Sequence, residues 1–356
     1  MKGILLTGLL TLTPVFGHST LQTSNSLHDT YVSNVHVQAD SGVQQLERQL
    51  LRDMSSIDQL FQSNQPDLTN VLQQMNQIFN DANLLNKQLL DQTVVRRAGI
   101  HRLPRQHLNR QIAVGGIQLS AGDRNVTNTQ LKAAANLVKT ISIPILTQTI
   151  GASPAGKTHI VLFSSQDSYG NALLQAGIRQ NQLPNIVSET GGLTVGSDIW
   201  IPLYNLQDES DLANVLTHEL THVVINQKRL GDVLPTWINE GIAWHDGLLA
   251  QAKLSSQVVQ NEFGMYDQQL QQAAAQGQLL PLTASETDIL QAGYNVEWED
   301  YLAVRHLLQT YGSQTFQSFL NDIPKYGVDQ SFFSHYKMSK ADYEKSYYQK
   351  LDNGQM

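Results

Sequence analysis

The chain contains no cysteine in its 356 residues. Disulfides, thiolate metal ligands, thiol nucleophiles and a lipid anchor built on cysteine are therefore excluded. Charge is also sparse: charged residues make up 15% of the chain and the net charge is −8. No strong Arg/Lys cluster offsets that sign, so neither nucleic acid nor an anionic membrane surface is an expected partner. Long apolar runs are missing apart from the first residues. Residues 1–17 join one lysine to an apolar run and end on Val15-Phe16-Gly17, the pattern of a short secretory signal peptide. The expectation is a secreted or cell-surface protein with no stable membrane span once that segment is cleaved, since the run is too short to span comfortably.

The hydrophobic content, 41%, suffices for a sizeable core, and the length allows one large domain or two modest ones. Residues 18–105 read as a loose linker followed by a glutamine-rich α-helical hairpin, with helical spacing over 43–62 and 68–92 and a break at Ser63-Asn-Gln-Pro66. Arg96, Arg97, Arg102, Arg105 and Arg110 form a modest basic patch, read as solvated surface. From about 106 the pattern changes. Strands are expected over 111–119 and 159–163, and helices over 127–150 (divided near Pro144) and 167–180. Residues 193–203 alternate with period two, and Pro202 marks that run as an edge strand. Beyond about 250 the chain reads as helical to its end, including a helix over 300–311 stopped by Gly312. The fold class is α+β: a mixed sheet and helices over 106–250, then a helical lobe over 251–356.

The most informative stretch is 211–227. An apolar stripe of Leu212, Val215, Leu216, Val223 and Val224 predicts a helix, and Asp208-Glu209-Ser210-Asp211 supplies acids at its positive end. Within it lies His218-Glu219-Leu220-Thr221-His222, an H-E-x-x-H match. At about 100° per residue the two histidines differ by about 40° and stack on one face, so two imidazoles can reach one metal ion. Glu219 falls on the adjacent face, where it can approach a water without ligating the metal, the placement of a general base. A second helix is expected to open at Pro235 or Thr236 and to carry Glu240 in its first turns. A catalytic zinc takes three protein ligands and keeps a fourth position for water, so Glu240 completes the set. Gly241 removes bulk where two helices approach.

His218-Glu219-x-x-His222 followed by Trp237-Ile-Asn239-Glu240-Gly241-Ile-Ala243 resembles the gluzincin metallopeptidases, in particular the aminopeptidase N type and the broader peptidase-MA-like domains. The sharp likeness covers about thirty residues. It implies a thermolysin-like zincin domain, Zn2+ on His218, His222 and Glu240, Glu219 as general base, and a peptide or protein substrate held along the edge strand ahead of the zinc helix. Gluzincins often add a Tyr or His from the helical lobe to stabilise the oxyanion, and Tyr294 and Tyr301 are the candidates, Tyr294 first. Two departures stand out. Where thermolysin places an acid four residues after its glutamate ligand this chain has Trp244, and Asp246 lies too far around the helix to replace it. The Gly-x-Met-Glu-Asn run of aminopeptidase N is absent, which favours endopeptidase action. The alternative from another class is a catalytically silent zinc-binding module at the cell surface. One further motif, Gly151-Ala-Ser-Pro-Ala-Gly156-Lys157-Thr158, matches the phosphate-loop pattern, but an apolar strand-like run follows where that motif needs a helix, so no nucleotide is expected.

Overall fold

The computed structural model describes residues 110–352, apart from 157, 179, 181–182, 285–287 and 290–291. The expected signal segment, the helical hairpin and the first four arginines of the basic patch lie outside the described residues. Arg110 lies within them, and its guanidinium donates to the carbonyls of Val126 and Arg124.

The fold is mixed α+β. Strands β1 (Gln111–Val114) and β2 (Ile117–Ala121) replace the single strand expected over 111–119. Gly115 and Gly116 sit between them with φ of 54° and 81°, the left-handed backbone that a tight hairpin requires. Helix α1 (Asn128–Leu137) opens with a capping box between Thr127 and Gln130. It runs through a π-helical turn, Val138–Ser142, into α2 (Ile143–Thr149), which has Pro144 in its first turn. The expected division near Pro144 thus takes the form of a widened turn just before the proline. Strand β3 (Thr158–Phe163) follows; Thr158 is its first residue, so the glycine-rich stretch ahead of it is a helix-to-strand turn. Helix α3 (Gln166–Ala176) ends on the left-handed Gly177, and α4 (Leu183–Glu189) leads to a hairpin of β4 (Leu193–Val195) and β5 (Asp198–Pro202).

The sheet order is β1-β2-β3-β5-β4. Its outer pairs are antiparallel, and the inner pairs β2–β3 and β3–β5 are parallel. This corrects the expectation for 193–203: that run is two strands, and the one carrying Pro202 is internal. The proline is tolerated because β4 pairs β5 only as far as Trp200, which leaves Pro202 without a partner on that side. The edge is β4.

Strand alternation divides the core. Ile117, Leu119, Ile160, Leu162, Ile199 and Ile201 face the larger cluster, which also takes in the long helices. Val161, Phe163, Leu193 and Trp200 face a smaller cluster with Tyr169 and Leu173 from α3 and Ile186 from α4. Helix α5 (Glu209–Gln227) packs on the first face, and Asp208 caps it by accepting from the amides of Ser210 and Asp211. All five residues of its expected stripe are buried.

Helix α6 (Thr236–Leu254) starts immediately after Pro235. The helical remainder comprises α7 (Ser256–Ala275), α8 (Val296–Tyr311), α9 (Ser313–Tyr326), α10 (Val328–Tyr336) and α11 (Lys340–Asp352). Gly241 lets α6 and α8 approach: a Cβ there would stand 2.3 Å from the Asp300 carbonyl oxygen and 2.6 Å from Val304 Cγ2. A backbone oxygen inside a helix cannot move aside cheaply. Gly241→Ala is therefore expected to destabilise the protein by about 1–3 kcal/mol despite alanine's better helix propensity. Urea unfolding of the variant showing no loss would contradict the close contact.

Candidate metal centre

Helices α5 and α6 bring three side chains to one point. His218 and His222, one turn apart on α5, direct their Nε2 atoms to within 3.1 Å of each other. Glu240, in the second turn of α6, places Oε2 3.5 Å from His222 Nε2 and 3.9 Å from His218 Nε2. Donors about 2.0–2.1 Å from a tetrahedral zinc are about 3.3 Å apart. The three separations bracket that value, so the donor set fits zinc in chemistry and in spacing. Among the described residues this is the one group of three or more His, Asp or Glu residues close enough to share a metal ion. Both histidines are buried, while the Glu240 side chain keeps 17% of its surface exposed.

The surroundings orient these ligands. His222 Nδ1 lies 3.3 Å from Asn239 Oδ1 and donates to it, so that in the neutral ring the lone pair falls on Nε2. Asn239 precedes Glu240, so one turn of α6 supplies both a candidate donor and the group that orients another. Trp244 packs edge-on against His218 with ring centroids 6.4 Å apart, and its Nε1 donates to Glu297 at the start of α8. Asp246 is fully buried elsewhere on α6: it accepts from Thr149 on α2, Thr221 on α5 and its neighbour His245, tying three helices together.

No family model, curated protein or solved structure matches this chain.

Glu219 lies beside the ligands without joining them. Its Oε2 accepts from Thr194 Oγ1 at 2.6 Å, and its Oε1 faces Gly192 on the approach to the same strand. Burial pushes its pKa up; His222 and the threonine hydroxyl oppose the shift without cancelling it. Burial and the adjacent His222 hold His218 well below the usual imidazole range. Burial also opposes charge on His222, but the Glu240 and Glu219 carboxylates outweigh it and push His222 up to about 9.

The two tyrosines singled out by sequence sit in the helical lobe. Tyr294, just before α8, accepts from the Leu280 amide and donates to the Glu299 carboxylate. Tyr301, on α8, stacks among Trp298, Phe263 and His245. Among the described residues neither hydroxyl contacts His218, His222 or Glu240. Thr194 and Gly192 are the contributors that sequence reasoning missed. The available signal was a polar residue on the buried face of a strand next to the helix that carries His218 and His222.

A metal needs His222 neutral. Zinc affinity is therefore expected to rise about tenfold per pH unit from pH 6 to 8, because each binding event displaces one proton from a group titrating near 9. A flat profile in a competition titration with a chelating dye would contradict this proton balance. Asn239→Ala should weaken zinc binding by roughly 10- to 100-fold, read in the same titration, while leaving one site per chain.

Proposed function

We propose that this chain is a secreted zinc metallopeptidase of the gluzincin type with a thermolysin-like catalytic domain, acting as an endopeptidase. The observation that carries the reading is the convergence of His218, His222 and Glu240 with the Glu219 carboxylate held alongside but outside the ligand set. A site that merely stored metal would have no use for a buried carboxylate in that position.

When bound, zinc supplies Lewis-acid chemistry, acidifying water and polarising a carbonyl. Glu219 accepts a proton from the attacking water as its oxygen bonds to the scissile carbonyl carbon. Glu219 then returns that proton to the leaving nitrogen as the C–N bond breaks, and the second water proton passes from the new carboxyl group to the amine, giving a carboxylate and an ammonium. Its upward shift brings the carboxylate closer to the neutral range in which both transfers are favourable. The developing oxyanion calls for a further donor, and Tyr294 and Tyr301 are proposed for that role. Tyr294 can serve only after releasing Glu299. Asn239 keeps His222 in the ligating tautomer throughout.

Glu219→Gln keeps the shape and removes the base. It should reduce cleavage of casein or a peptide library by roughly 10²- to 10⁴-fold while zinc content stays at one per chain. Retained cleavage in the variant would sink the assignment of the base. Full zinc occupancy in wild type and variant with cleavage by neither would favour the silent binding module instead.

A further inference from the structure

Resting on the peptidase reading, we propose that edge strand β4 positions the general base, with Thr194 holding one carboxylate oxygen of Glu219 and Gly192 leaving room for the other. A glutamate on a helix has three rotatable side-chain bonds, and Glu219 is not fixed by ligating the metal. Its placement needs a partner from outside α5. Thr194 Oγ1 stands 2.6 Å from Glu219 Oε2 and 3.2 Å from the Glu219 carbonyl oxygen. The hydroxyl has one proton, and the shorter, charge-assisted bond to the carboxylate takes it. That bond ties Oε2.

Gly192 acts on the other oxygen. A Cβ at this position would stand 2.7 Å from Glu219 Cγ, 2.8 Å from Oε1 and 3.0 Å from Cδ. Every one of those atoms belongs to the rotatable end of the glutamate. An added methyl would therefore displace the carboxylate and leave the helix and sheet where they are. The two residues act on different oxygens, one by attraction and one by absence of bulk. Thr194 lies on the strand that closes the open edge of the sheet, and Gly192 directly precedes it. Both are positioning residues in this scheme, since they act through Glu219.

The test uses Thr194→Val, Thr194→Ser and Gly192→Ala in the full-length zinc-loaded protein, with crystal structures of the metal-free forms. Thr194→Val and Gly192→Ala should lower kcat by roughly 10- to 100-fold with KM held within about twofold, at unchanged zinc content. Thr194→Ser should restore kcat to within a few-fold of wild type, because it returns the hydroxyl. In the metal-free crystals the Glu219 carboxylate should move in the valine and alanine variants and stay in place in the serine variant. An active wild type whose kcat is unaffected by either Thr194→Val or Gly192→Ala would overturn this proposal alone. So would a carboxylate that stays in place in the crystals of both variants. A wild type that holds zinc and cleaves nothing would overturn the peptidase reading and this proposal with it.

Discussion

Two imidazoles and two carboxylates cluster between α5 and the elements around it, and three of the four are buried. Removing such groups from water costs several kcal/mol for each charge left unpaired. The surrounding structure answers that cost locally. Glu240 and Glu219 face His222, Thr194 donates to Glu219, and Asn239 accepts from His222. His218, His222 and Glu240 are thus held close together by their own neighbours, and the sheet and helices around them form the frame that keeps those neighbours in reach.

The frame depends on close approach at two places. Gly241 brings the glutamate-bearing helix against α8, and Gly247 faces Asn214 on α5, where a Cβ would stand 2.4 Å from its Oδ1. Asp246 adds a polar tie: its two oxygens accept from α2, from α5 and from its own helix. Ser142 in the π turn contacts Thr217 at 2.8 Å; the Thr217 hydroxyl donates to Ala213, so Ser142 is the donor. The residue before each histidine is thereby tied to a neighbouring element, Thr217 to Ser142 and Thr221 to Asp246.

Much of this was legible in the sequence because it rests on periodicity. The α5 stripe, its acidic cap, the start of α6 after Pro235, the buried strand over 159–163 and the stop at Gly312 follow from local rules that depend on few neighbours. The convergence of His218, His222 and Glu240 was legible for the same reason: two positions on one helix face plus an acid early in the next helix. Pairing was less legible. Pro202 correctly indicated a missing partner, but the partner is lost because β4 stops short, and strand length across a hairpin cannot be read from one proline. Thr194 was overlooked because its importance lies in a contact across 25 positions of sequence. Helix α10, short and glycine-preceded, carries too little periodicity to separate from the helix before it.

The shortness of β4 bears on the described sheet as a whole. Its three residues, and the four of β1 at the opposite margin, are the only outer rims of the described sheet. Each rim measures roughly 10–14 Å at about 3.3 Å per residue. Rims that brief offer little template for a second copy to stack on, which guards the described sheet against edge-to-edge self-assembly.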